Sequence, residues 1–216
     1  MATIEVLDLG RISYEVAYER QKALLTEVAE GARPNTLVLV EHDPILTLGA
    51  GFHEENLLFP QATYEQRGIS VKATDRGGDV TFHGPGQLVI YPIFSLDLVG
   101  RDLHRWLRQL EQTIIDALEA WGLTGSRNAV NTGVWIDNRK ICAIGIKVSR
   151  RVSMHGLALN CNVDLNQFGL FVPCGIRGDF GVTSLSAELG RNVTIEEAKP
   201  VVIEAFQRRF GGPCEL

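Results

Sequence analysis

The sequence predicts an α+β fold, a mixed and largely antiparallel β-sheet with flanking helices, in a single domain over residues 1–216. Three observations carry that expectation. Strand-like segments come in consecutive blocks, and helices flank those blocks rather than alternating with strands one for one. The 216 residues are 45% hydrophobic and 22% charged, which is enough apolar material for a core and too little charge for a disordered chain. No repeat, low-complexity tract or composition break divides them.

Taken in order, residues 3–9 alternate as a strand does. Ser13 is placed to cap a helix whose apolar stripe is Val16, Ala17, Leu24, Leu25 and Val28, with Gly31 as its stop. Residues 36–40 (TLVLV) and 45–48 read as short buried strands around the Asp43-Pro44 turn, and residues 49–68, without a clear period, as a long loop. Short strands are expected at 69–73 and 80–82, on either side of Arg76-Gly77-Gly78. Residues 87–94 (QLVIYPIF) form another, at an edge or a bulge because Pro92 cannot donate to a ladder. The strongest helix signal spans 102–121, where Leu103, Trp106, Leu107, Leu110, Ile114, Leu118 and Trp121 share one stripe and Gly122 follows. Strands at 133–136, 140–148 and 152–160 come next, the first two joined into a hairpin by Asp137-Asn138. A short helix over 183–189 and a last helix from Thr194 close the chain. Glu197 completes a capping-box spacing, and Pro200 predicts a kink or restart.

Composition excludes several classes. Twenty-one Lys and Arg against 26 Asp and Glu give a net charge of −5, which argues against a nucleic-acid groove. No apolar run reaches the roughly 18–20 residues that span a bilayer. The opening MATIEVLDLG lacks the basic and apolar regions of a secretory signal, so a cytoplasmic protein with no membrane partner is expected. The four cysteines (Cys142, Cys161, Cys174, Cys214) and five histidines (His42, His53, His83, His104, His155) show no C-x-x-C or H-x-x-x-H spacing. Free thiols in a reducing compartment and no metal site are the expectation.

The chemistry concentrates in three places. Four of the chain's 22 glycines fall between positions 77 and 86, in RGGDVTFHGPGQ. Such a run lets the backbone turn sharply and present N–H groups to an oxyanion or carbonyl. It lacks G-K-[ST] and does not open a helix as G-x-G-x-x-G does, so it implies no nucleotide. In Val172-Pro173-Cys174-Gly175-Ile176 a thiol sits in a turn, unlike Cys142 and Cys161 among their apolar strand neighbours. That thiol needs a nearby cation to ionise near neutrality. His83, His155, Lys140, Lys147 and Arg76 are the candidates, and spacing does not choose among them. Along KICAIGIK, a period of two puts Lys140, Cys142, Ile144 and Ile146 on one face, with Ile141, Ala143, Gly145 and Lys147 on the other. Ala143 and Gly145, with Gly156 and Ala158 on the next strand, would line a smooth slot for a straight alkyl chain, or serve tight strand-on-helix packing equally well.

Together, RGGDVTFH running into GPGQLVIYPI, RKICAIGIKVSR, MHGLALN and FVPCGI, with EHDP and LTLG before them, closely resemble the lipoyl(octanoyl) transferase family over residues 4–189. The resemblance implies a biotin/lipoate-protein ligase-like fold and an acyltransferase. Such an enzyme moves an octanoyl group from octanoyl-acyl carrier protein to a lysine of lipoate-dependent proteins, the first step of lipoyl cofactor assembly. It implies Cys174 as the acyl-thioester nucleophile and Lys140, not Lys147, as its partner. The acyl-binding segments fall on Arg76, Gly77, Gly78, Asp79, Val80, Thr81, Phe82 and His83, on Ala143, Ile144 and Gly145, and on Gly156, Leu157 and Ala158. Asp79 and Phe82 stand at variable positions of their motif. His83 is either a competing base or a group that positions the acyl carbonyl. The implied acceptors are the lipoyl domains of 2-oxoacid dehydrogenases and the glycine cleavage H protein, and the implied enzyme is a monomer without cofactor, metal or nucleotide. An acidic carrier would need a basic patch, for which Arg101, Arg105, Arg108, Lys147, Arg150 and Arg151 are candidates. The alternatives are an ATP-dependent lipoate- or biotin-protein ligase, an octanoyl amidotransferase and a non-catalytic acyl-binding protein; the turn cysteine favours the transferase.

Overall fold

The computed structural model describes residues 4–129, 131–172 and 180–211. The chain opens with β1 (Glu5–Ile12) and enters α1 (Tyr14–Ala29) through Ser13, whose hydroxyl accepts the Val16 N–H as an N-cap. Then come β2 (Thr36–His42), β3 (Ile45–Leu48), α2 (Gln61–Gln66), β4 (Ser70–Ala73), β5 (Val80–His83) and β6 (Gln87–Ile93). The long amphipathic α3 (Leu103–Glu119) starts at Asp102, whose carboxylate accepts the Arg105 N–H. β7 (Gly133–Ile136), β8 (Arg139–Ser149) and β9 (Val152–Asn160) form a meander. β10 (Gly181–Val182), α4 (Leu185–Leu189) and α5 (Ile195–Phe210) follow.

Two sheets result. The larger runs β1-β2-β6-β9-β8-β10 with β7 beside β8, and the smaller runs β4-β3-β5. The pairs β1–β2, β8–β10 and β3–β4 are parallel and the others antiparallel, as a mixed sheet requires. One face of the large sheet buries Leu39, Ile90, Leu157 and Leu159 against Trp106 and Leu110 of α3 and Phe206 of α5. The opposite face packs Val38, Val89 and Ala158 against Ala17 and Leu24 of α1. The small sheet has its own apolar cluster, with Leu46, Val80 and Phe82 around Tyr64 of α2.

The structure adds to or departs from the sequence reading at five places. Residues 49–68 contain α2, a six-residue helix anchored by one buried ring, Tyr64, too short for a periodic signal. β10 has two residues and is set by pairing, not propensity. α5 runs unbroken through Pro200. The carbonyl that proline would strand belongs to Glu196, on the exposed first turn, where water can satisfy it. β6 is central rather than an edge, but its ladder with β9 ends at Ile90 opposite Leu157, so Pro92 lies beyond those bonds.

The adjustment with the largest consequence is in β8. Val134 and Trp135 face Cys142 and Lys140, which leaves Ile141 as the extra residue of a β-bulge. Ile141 and Cys142 therefore both enter the core on the α3 side, together with Val134 and Ile136. Lys140 pairs with Trp135, which that core excludes, and so turns to the face of Ala143 and Gly145. Strict alternation had put Lys140 with Cys142; the bulge moves it across.

Candidate active site

On the α1 side of the large sheet lies a cleft with about 450 Å³ of empty space. Val89 and Tyr91 of β6, Gly156, Leu157 and Ala158 of β9, and Ala143, Ile144 and Gly145 of β8 line it from the sheet. Arg76, Gly77 and Gly78, with Thr81 and His83 of β5, line it from the loop side, and Tyr14 and His155 contribute from α1 and β9. The two central glycines are needed for different contacts. A Cβ on Gly145 would stand 2.7 Å from the Gly77 carbonyl oxygen, so glycine lets the loop settle over β8, where the Gly77 N–H reaches Ile146 O at 2.8 Å. A Cβ on Gly156 would overlap the Ile90 carbonyl oxygen, so that glycine serves close approach of β9 to β6.

Alternation along β5 sorts the predicted acyl-binding residues. Thr81 and His83 line the cleft, while Val80 and Phe82 turn into the small apolar cluster. Asp79 also lies outside the cleft. Its carboxylate accepts from the backbone N–H groups of His53 (3.1 Å) and Val80 (2.8 Å) and from Asn56 Nδ2 (2.5 Å), which fixes the neighbouring loop. Arg76 lines the cleft yet directs its guanidinium into its own loop. Nε donates to Thr47 Oγ1 (3.0 Å), and Nη2 donates to the carbonyls of Thr47 (2.5 Å) and Asp79 (2.7 Å).

His83 is buried and held at both ring nitrogens. Nδ1–H donates to Gln87 Oε1 at 2.8 Å, and Nε2 faces the Thr47 hydroxyl at 3.4 Å. Gln87 Nε2 donates in turn to Asn160 Oδ1 (3.0 Å), and Asn160 Nδ2 to the Thr183 carbonyl (2.9 Å). Burial, with the charges of His42 and Arg76, pushes the His83 pKa down to about 3. A base that weak does not take protons at neutral pH, so its geometry suits positioning. The sign of the linked stability follows. The unfolded chain protonates this imidazole near 6.5 and the folded one resists until about 3, so stability present above 6.5 is lost as pH falls through that window. His83→Gln should flatten the unfolding free energy against pH by up to about 1.4 kcal/mol per unit below 6, measured by denaturant titration. An unchanged slope would mean that His83 is protonated in the native state.

Beyond Gly156 the cleft meets an ionic cluster. His155 adopts φ +57°, uncommon for a residue with a side chain. Its N–H donates to Gln21 Oε1 and its Nε2 contacts Asp75 Oδ1, both at 2.7 Å. Asp75 also accepts from Lys147 Nζ (2.5 Å) and Tyr18 OH (2.9 Å). Burial alone would raise the Asp75 pKa, but Lys147, His155 and Tyr18 hold it well below the usual carboxylate range. Lys147 and His155 are thus committed to Asp75.

Lys140 remains, buried at 5% exposure. Its ammonium donates to Asn131 Oδ1 and to the Thr132 carbonyl (3.3 Å), and it lies 4.9 Å from the Trp135 ring centroid. Cys174 falls outside the described residues. On its N-terminal side the described chain ends at Phe171 and Val172, with Phe171 bridged to Leu57. On its C-terminal side Phe180 packs on Trp135 at 5.9 Å, Val182 pairs with Lys140, and the Thr183 N–H donates to Lys140 O at 3.0 Å. The two described thiols, Cys142 and Cys161, are both pushed up to about 12 by burial and stay protonated. A second groove, with about 970 Å³ of empty space, shares Gly77, Gly78, Ile144 and Gly145 with the cleft and runs past Leu103 and Leu107 to Asn131 and Thr132.

The proposed basic patch is thinned by pairing. Arg101 bonds Asp97, Arg108 bonds Glu111, Arg150 bonds Glu30, and Lys147 is held by Asp75. Tyr14, Val89, Tyr91, Gln87 and Asn160 join the site without having been singled out for it, and His155, considered only as a cation for Cys174, lines the cleft. Gln87 and Asn160 carried one signal, a polar residue at the end of an otherwise apolar strand. Among the described residues, no helix is long and apolar enough to cross a membrane.

Comparison with known proteins converges on one group. The family described as lipoyl protein ligase A/B catalytic domain matches residues 13–207. An octanoyltransferase of Porphyromonas gingivalis is 46% identical over 215 residues, which cover 94% of this chain and 44% of that protein. The chain thus spans under half the length of that relative. An octanoyltransferase of Gloeobacter violaceus is 46% identical over 211 residues, covering 97% and 91%. In three dimensions, a structure of the bipartite lipoate protein ligase of Thermoplasma acidophilum and its E2 lipoyl domain contains a chain that superposes with TM-score 0.71 at 16% identity, over 97% of this chain and 84% of that one.

Proposed function

The chain belongs to the lipoyl protein ligase A/B catalytic domain family, and from that premise we propose that it transfers an octanoyl group from an acyl carrier protein to the lysine of a lipoyl domain, through a thioester on Cys174. The observation that carries the reading is the β8 bulge, which brings Lys140 to the face of the small-residue cleft and next to the strand that follows Cys174. An ammonium there stabilises a thiolate.

The cycle balances on those two groups. The Cys174 thiolate attacks the donor thioester carbonyl, the bond to the carrier sulfur breaks, and the carrier thiolate takes a proton from the Lys140 ammonium. The octanoyl chain lies along Ala143, Gly145, Gly156 and Ala158, and backbone N–H groups of the glycine-rich loop are candidates for the oxyanion. A neutral acceptor amine then attacks the Cys174 thioester. The C–S bond breaks, the surplus amine proton passes to neutral Lys140, and the thiolate–ammonium pair is restored beside the new amide. The acceptors are the lipoyl domains of 2-oxoacid dehydrogenases and the H protein of glycine cleavage. The setting is the cytoplasm, where the thiol stays reduced.

Intact mass of the protein after incubation with octanoyl-acyl carrier protein, without ATP, tests this. One octanoyl group should be added and then lost on hydroxylamine treatment. No adduct, or an adduct that depends on ATP and free octanoate, would replace the transferase reading with a ligase.

A further inference from the structure

We propose that His155 ends the acyl cleft, and that the ion cluster behind its ring makes it a rigid stop that selects an octanoyl chain over longer ones. The proposal rests on the transfer reading just given and deepens it by naming what measures the chain.

The floor of the cleft is laid out in cross-strand rows. Ala143 stands opposite Ala158, and Ala158 opposite Val89; one row further on, Gly145 stands opposite Gly156. The next row is Lys147 opposite Met154, where small residues give way to large ones. From Ala143 to Lys147 the strand advances about 13 Å at 3.3 Å per residue, a length that suits a medium alkyl chain lying straight. Lys140 precedes Ala143 on the same strand. An acyl chain that enters from the Lys140 end therefore crosses the two small rows and reaches this boundary tail first.

His155 stands at the boundary because its backbone breaks the alternation of β9. Leu157 and Leu159 enter the core on the α3 side, and a regular strand would send His155 with them. At φ +57° its imidazole lies instead on the α1 side, stacked on the Tyr18 ring with centroids 5.6 Å apart. Such a backbone persists in a residue with a side chain only where the surroundings over-determine it. Here they do. The His155 N–H is held by the buried Gln21, its Nε2 by Asp75, and Asp75 in turn by Lys147 and Tyr18. The clamped ring is itself buried and lines the cleft.

An apolar wall yields to a tail by changing rotamer, and one methylene more in an apolar pocket is discriminated only about 10- to 200-fold. The wall at His155 lacks that freedom. Moving the ring aside breaks its contact with Asp75 and disturbs a carboxylate that two further donors hold. Methylenes pushed among those groups would take their place beside charges without replacing a hydrogen bond.

Rates of Cys174 acylation from octanoyl-, decanoyl- and dodecanoyl-acyl carrier protein at limiting donor test this. The wild type should favour octanoyl over dodecanoyl by about 100-fold or more. His155→Gly accepts the positive φ without strain and removes the ring, and should bring the two donors within about threefold of each other. His155→Asn tolerates the same φ with a shorter side chain, and should move the optimum to decanoyl. A merely structural His155 would lower acylation by all three donors together, with a fall in Tm and an unchanged ratio between them. That result overturns the proposal, as does a wild type without preference among the chains. If the wild type forms no thioester from any donor, the transfer reading fails by itself. The stop is then decided by calorimetry with free octanoate and dodecanoate, whose Kd ratio should move toward dodecanoate by about tenfold or more in His155→Gly; an unmoved ratio overturns it.

Discussion

Cys174→Ser abolishes octanoyl transfer, by about 10⁴-fold or more, while Tm and circular dichroism stay at wild-type values. A serine hydroxyl has no accessible anion near neutrality, and an ammonium that suffices to ionise a thiol does not suffice for an alcohol. The substitution is close to isosteric, and in the sequence its position lies between Pro173 and Gly175. The measurement is acceptor octanoylation by mass spectrometry, with the intact mass of the variant as a control for residual acylation. Retention of more than a few per cent of wild-type turnover would remove the covalent intermediate. Transfer would then have to run directly from donor to acceptor, with Cys174 as a bystander.

Lys140→Ala is expected to reduce thioester formation at pH 7 by about 10²-fold and to make it climb with pH. Without the ammonium, the Cys174 thiol returns toward its ordinary pKa near 8.5, so below that value each pH unit supplies about ten times more thiolate. Stopped-flow or quench acylation between pH 6 and 9 reads this directly. The wild type should be nearly flat there, and the variant should approach it at the alkaline end. The second half-reaction should not be rescued to the same extent, because the variant also lacks the base that takes the amine proton. A variant that acylates at wild-type rate at pH 7 would dismiss the lysine and reopen the histidines. Neither alternative histidine is well placed to inherit the role. His83 is held neutral by burial, and His155 is tied to Asp75.

Much of the fold was readable because local rules and global packing agree. Ser13, Asp102 and Thr194 cap the three long helices where the side chains indicate. The alternation of β5 and the stripe of α3 are the patterns that burial then uses. What the sequence concealed depends on neighbours distant along the chain. The Ile141 bulge is a property of the β7–β8 pairing, invisible in KICAIGIK alone. The duty of Arg76 is set by carbonyls of Thr47 and Asp79 that a motif does not display, so a residue that resembles a ligand contact is occupied with shaping its loop. Tyr14 and Tyr91 reach the cleft from opposite sides, α1 and β6, and neither carries a local signature. The three segments that the resemblance assigns to acyl binding all contribute residues to the cleft. The pleat then divides β5 residue by residue, giving Thr81 and His83 to the cleft and Val80 and Phe82 to the small core.

The unpaired Ile141 makes this chemistry a matter of odd and even. One residue more or fewer before Cys142 swaps the parity of everything upstream in the strand, and with it the side of the protein on which a positive charge emerges. Any homologue compared with this chain by gapped matching alone can therefore keep the lysine in its column and lose it from the reaction. If Lys140 acts as proposed, the count of residues between the turn and Ala143 matters to any redesign of the β7–β8 hairpin as much as the lysine itself.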